Sequence, residues 1–139
     1  MQRSVYKSSF VIALYVPILL LTAGCGGEPA ICKVTGTVKS AGQPVVGIIV
    51  NFVPAEGRPS WGLTDANGTF KLHYTRDQEG AVRGPHKVYF TYKPISPDKE
   101  GLPPPAALKP LIDKYGNKDK TSLTYEVVKD GQVIDIHID

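Results

Sequence analysis

Gly62-Leu63-Thr64-Asp65-Ala66-Asn67-Gly68-Thr69-Phe70-Lys71-Leu72-His73-Tyr74 decides the class of fold. After the turn, Phe70, Leu72 and Tyr74 alternate with Lys71 and His73, which is the period of a strand with one buried face. Before it, Pro59 to Thr64 carries Trp61 and Leu63 and runs straight into the turn. Within Thr64 to Gly68, Asp and Asn side chains bond neighbouring amides, and Gly accepts a positive φ. The turn joins two alternating strands.

The same period extends outward on both sides. Val34 to Val38 alternates and ends at Ser40-Ala41-Gly42-Gln43, with Pro44 at a strand start where no ladder amide is lost. In Val45 to Val53, Ile48, Val50 and Phe52 share one face and Ile49, Asn51 and Val53 the other, and Pro54 stops the run. In His86 to Tyr92, Val88, Phe90 and Tyr92 alternate with Tyr89 and Thr91. Leu123 to Val128 and Val133 to Ile138 follow, separated by Lys129-Asp130-Gly131-Gln132. The expectation is an all-β domain, a single seven-stranded antiparallel β-sandwich over residues 34–139. Ala106 to Tyr115 is expected to form at most a turn or two of helix, interrupted by Pro110.

Residues 93–120 break the regular spacing. Six prolines fix backbone angles and remove amide donors there, giving a crossover of polyproline character or a docking surface.

The amino-terminal 24 residues are of another kind. Arg3 and Lys7 precede an apolar segment from Phe10 to Leu21, about a dozen residues against the roughly 20 that span a bilayer. Pro17 weakens it further as a helix. Leu21-Thr22-Ala23-Gly24-Cys25 closes it and resembles the lipobox of bacterial lipoproteins, with Thr22 where Leu is commoner. That resemblance implies a signal peptide over residues 1–24, a diacylated Cys25 and export to the cell envelope; plain secretion and an amino-terminal membrane anchor are the rivals. Two or three acyl chains anchor stably where one does not. Residues 25–33 then form the lipidated cysteine and its tether. Gly26 lacks the Asp that, by resemblance to the sorting rule, favours inner-membrane retention, so the outer membrane is the expected destination.

Removing residues 1–24 from the 139 leaves 115, enough for one domain. Arg3 and Lys7 go with them, so 14 basic residues face 13 acidic ones and no nucleic-acid footprint is expected. Acylation of Cys25 takes away the single possible partner of Cys32. Cys32 is then a half-buried strand-edge residue or, alternatively, an intermolecular or reactive thiol.

In order, Val34-x-Gly36-x-Val38, Gly42-Gln43-Pro44-Val45, Val50-Asn51-Phe52-Val53-Pro54, the Gly62 to Phe70 segment and Gly80-Ala81-Val82-x-Gly84 make a pattern. Ile112-Asp113-Lys114-Tyr115 and Thr121-Ser122-Leu123-Thr124 continue it. The whole resembles small bacterial lipoproteins with a carboxypeptidase-regulatory-like, or transthyretin-like, β-sandwich. The resemblance covers nearly all of Val34 to Ile138 and implies a non-catalytic envelope domain, structural or in contact with envelope proteins.

Catalytic patterns find little support. His73, His86 and His137 fall in three strands without paired zinc spacing, and Ser60 and Ser122 lack a Gly-x-Ser-x-Gly setting. Asp65-Ala66-Asn67-Gly68 resembles the start of a calcium loop, but Arg76 stands where the late carboxylate belongs. A transthyretin-like hydrolase would end in Tyr-Arg-Gly-Ser, and this chain ends Asp135-Ile136-His137-Ile138-Asp139. The asparagines Asn51, Asn67 and Asn117 lie outside the last strand, which disfavours a Lys–Asn isopeptide bond. No cofactor or metal is expected. Aromatic residues remain: Trp61 and Tyr89 are the candidate ligand surface of a carbohydrate- or peptide-binding module, the alternative reading.

Overall fold

The computed structural model describes residues 30–94 and 102–139. The expected signal peptide and Cys25 lie outside the described residues. Among the described residues there are eleven strands and one helix. They are β1 (Ile31–Cys32), β2 (Val34–Ser40), β3 (Gln43–Pro44), β4 (Ile49–Pro54), β5 (Ser60–Leu63), β6 (Thr69–Lys71), β7 (Ala81–Val82) and β8 (Gly84–Thr91). Helix α1 (Lys109–Tyr115), β9 (Thr124–Val127), β10 (Gln132–Val133) and β11 (Ile136–Ile138) follow.

The fold is all-β apart from α1. One sheet runs β5-β4-β8-β9, antiparallel throughout. The second is built on β2, which pairs antiparallel with β3 and β6. Its other edge takes β10 and β11, and both are parallel to it. The short pair β1–β7 is antiparallel.

Three expectations need correction. The strand count is eleven rather than seven, because two-residue strands β1, β3 and β7 are added and the last expected strand divides into β10 and β11. The sheets are not wholly antiparallel. Residues 123–138 contain no hairpin: β9 joins β8, and the chain then crosses to β2. The Gln132 side chain sits against β9 instead, its Nε2 donating to the Glu126 carbonyl at 2.9 Å and its Oε1 accepting from the Val128 amide at 2.8 Å. Its backbone amide goes to the Lys33 carbonyl, so the residue belongs to both sheets. Thirdly, Pro110 stands in the first turn of α1, where its missing amide costs nothing, and so it starts the helix rather than interrupting it. Ile31–Cys32, placed in the tether by the sequence, form β1.

Alternation does identify the core. Ile48, Val50 and Phe52 are buried from one sheet, as are Val88 and Phe90 beside them. Val34, Val38 and Phe70 come from the other, and Phe52 meets Phe70 across the interior at 6.2 Å between ring centroids. Each such side chain contributes about 1.5–3 kcal/mol by leaving water. Helix α1 closes one flank, with Leu111 and Tyr115 buried and the Tyr115 ring edge-on to Phe90 at 6.1 Å. A groove of about 710 Å³ runs between α1 and β3.

Gly36, mid-β2, marks the tightest approach. A Cβ there would overlap the Ile134 carbonyl, where the chain bows between β10 and β11. Asp135 secures that bow by accepting from the Thr37 amide at 3.1 Å and its hydroxyl at 2.8 Å. We expect Gly36→Ala to cost about 1–3 kcal/mol by overpacking, lowering the thermal midpoint by roughly 5–15 °C. Calorimetry checks this, and an unchanged midpoint would contradict the close approach.

Candidate functional site

The outward face of β5-β4-β8 carries the candidate site. Register places Asn51 directly opposite Trp61 on one side and Tyr89 on the other. The row continues past Trp61, because Trp61 and His73 exchange backbone hydrogen bonds at 3.0 and 2.8 Å. That exchange also joins the two sheets along the β5 edge. The sequence therefore runs His73–Trp61–Asn51–Tyr89 across four neighbouring chain segments. Trp61 and Tyr89 stand two strands apart, about 9.6 Å by strand spacing. Ile49, Leu63 and Thr91 form the adjoining row.

Trp61 is 44% exposed and Leu63 42%. The indole is nonetheless positioned: the His73 ring lies 5.3 Å from it, tilted by 31°. Asn51 is held from within the sheet, its Nδ2 donating to the Thr91 hydroxyl at 3.0 Å and to the Ile49 carbonyl at 3.2 Å. Its amide nitrogen is thus engaged by the sheet, and Oδ1 remains as the acceptor. The site offers an ordered indole, an amide oxygen and a half-buried phenol, with no charged residue in the Trp61–Asn51–Tyr89 row. Such a strip can stack on a flat apolar surface and exchange hydrogen bonds beside it.

Sequence reasoning named Trp61 and Tyr89, and the structure brings them onto one row. It weighed His73 only as a zinc ligand and Asn51 only as an isopeptide partner, not as parts of this surface. Alternation places His73 outward and Asn51 opposite the Ile48–Val50–Phe52 face, but only the register shows that they share a line with Trp61.

Elsewhere the candidate chemical groups are separated or occupied. Asp65 Oδ1 accepts from the Asn67 and Thr69 amides at 2.8 and 2.9 Å, so its carboxylate closes the turn. Gly68 there has φ +72°, and its carbonyl accepts from the Val38 amide. Among the described residues no group of three or more His, Cys, Asp or Glu is placed to hold a metal ion. Cys32 is buried on β1 as a free thiol. No described helix is long and apolar enough to cross a membrane.

His86 is 2% exposed and packs its ring 5.7 Å from Phe52. Nδ1 donates to the Gly84 carbonyl at 2.9 Å, while Nε2 is buried without a partner, as is the Ser60 hydroxyl. Burial holds the imidazole below its ordinary 6.5, with the Gly84 hydrogen bond opposing the shift. Burial likewise pushes the Tyr125 phenol up.

Below about pH 6.5 the unfolded chain binds a proton at this histidine that the folded protein resists. Stability from His86 is therefore full above that pH and falls as pH drops through it towards the lower folded-state value. His86→Phe should flatten this part of the curve. Thermal midpoints measured between about pH 7.5 and pH 5 test it, and equal slopes for both proteins would reject the assignment. Comparison of the chain with protein-family models, curated proteins and solved structures gave no match.

Proposed function

We propose that this protein is a lipid-anchored, non-catalytic component of the bacterial cell envelope, in which one β-sandwich of transthyretin-like type holds an envelope partner. Export and anchoring rest on residues 1–25, with the lipid on Cys25 and the outer membrane as the destination. The two sheets packed over Phe52 and Phe70 support the sandwich reading. Exposure of Trp61 in a row with Asn51 and Tyr89 carries the partner reading. An indole fixed at the surface beside hydrogen-bonding groups suits an interface, where aromatic anchors dominate binding energy.

The non-catalytic reading draws on the histidines. His73 supports Trp61, His86 is sealed against Phe52, and His137 lies on β11 beside β2. Nothing on the row offers a nucleophile with an adjacent base.

One observation favours the carbohydrate-binding alternative. The row pairs an aromatic ring with neutral hydrogen-bonding groups, the combination that suits a sugar ring's apolar face and its hydroxyls. Cross-linking in intact membranes followed by affinity recovery of the full-length protein distinguishes the two. A specific protein lost on Trp61→Ala is the expected result. Retention by insoluble cell-wall glycan, lost in the same variant, would move the assignment to the alternative. No ligand of either kind above background would reject the role of this face. Because Trp61 is exposed, its truncation should cost stability only about 1 kcal/mol.

The anchor has its own test. Cys25→Ser should abolish incorporation of labelled palmitate, and unchanged labelling would refute it.

A further inference from the structure

We infer that the domain stands on the bilayer by one particular end, the end formed by Ala30, Arg83 and the turn at 128–131. The inference rests on the lipid anchor at Cys25 and adds to it which surface meets the lipid.

Chain length supplies the first argument. Cys25 precedes Ala30 by five residues, so their Cα atoms are at most about 18 Å apart. The Ala30 carbonyl accepts from the Arg83 amide at 2.9 Å, which fixes where the chain joins the fold. From there β1 and β2 lead away, and the seven residues of β2 alone cover about 23 Å. The far end, with the turn at 65–68 and β3, is therefore the end more distant from the tether.

The surface at the near end supplies the second. Gly84 pairs with Val127, placing Val128 next to Arg83, and Asp130 accepts from the Lys33 amide at 2.7 Å, placing the turn beside the start of β2. Val128 is 50% exposed and Val133 65%, two large apolar side chains within a few residues of the tether. Lys33, Arg83 and Lys129 are exposed with them and suit headgroup phosphates. Among the described residues the carboxylates at this end are Glu56, Asp77, Glu79, Glu126 and Asp130; Glu79 pairs with Lys71 at 3.2 Å and Asp130 accepts from the Lys33 amide. Charges are near balance, so the contact is set by the tether and the two valines rather than by attraction to anionic lipid. It should therefore change little with salt.

The test uses the acylated full-length protein, purified from membranes and returned to vesicles of phosphatidylethanolamine and phosphatidylglycerol carrying a nitroxide lipid. A fluorophore is attached to Lys129→Cys at the near end or to Ala66→Cys at the far turn, and Trp61, the single tryptophan of the chain, reports for the side face. Lys129→Cys should be quenched several-fold more than Ala66→Cys or Trp61, at low and at high salt alike. Equal quenching, or strongest quenching at Ala66→Cys or Trp61, overturns the orientation while leaving the anchor intact. Failure of the unlabelled protein to float with vesicles or to carry palmitate overturns the anchor, and the orientation with it.

Discussion

Strand β2 is hydrogen-bonded along both edges, and the rest of the domain is arranged around that fact. One edge receives β6 and β3, folded back by turns; the other receives β10 and β11, the last strands in the chain. Residues almost a hundred positions apart are joined there, through Lys33 with Asp130 and Thr37 with Asp135. A central strand closed from both ends of the chain has no exposed ladder to template association. It also makes folding depend on non-local pairing, which is slow to find. The absence of a side chain at Gly36 is what lets the Ile134 backbone cross at contact distance, and Asp135 turns the resulting bow into two more hydrogen bonds.

Much of this was legible locally and little of it globally. Ile48, Val50 and Phe52 announce their buried face because strand geometry alternates whatever the partner strand is. The turn at 65–68 is equally local: its Asp, Asn and Gly satisfy their own backbone. Pairing direction is a different kind of fact. Two alternating runs with Lys129-Asp130-Gly131-Gln132 between them read as successive strands of an antiparallel sandwich, and nothing in the period says that Gln132 will place its side chain on β9 and its backbone on Lys33. Pro110 was misread for a related reason, since a helix start and a helix interruption differ only in position. Two-residue strands such as β1 are too short to show any period.

The candidate site shows the same division. Trp61 and Tyr89 stand out by residue type, and their outward placement follows from alternation. Asn51 is small and polar in an apolar strand, and its meaning comes from the line it shares with its neighbours across β5 and β8. His73 carries no functional signature in the sequence; its role of steadying the indole exists only because the chain after β6 pairs with β5. Register converts four ordinary residues into one ordered strip.

Orientation and site then constrain each other. Rows on a sheet face run across the strands, and with the β1 end on the bilayer the strands run away from it. On the proposed orientation the row from His73 to Tyr89 therefore lies on a side face of the domain. Height above the bilayer rises along the row: Leu72, before His73, donates its amide to the Val34 carbonyl at the start of β2, while Tyr89 stands five residues along β8 from Gly84. On that orientation a partner on the row would approach from the side of the domain, whereas the groove between α1 and β3 lies at the far end, beside Ser40 and Gln43.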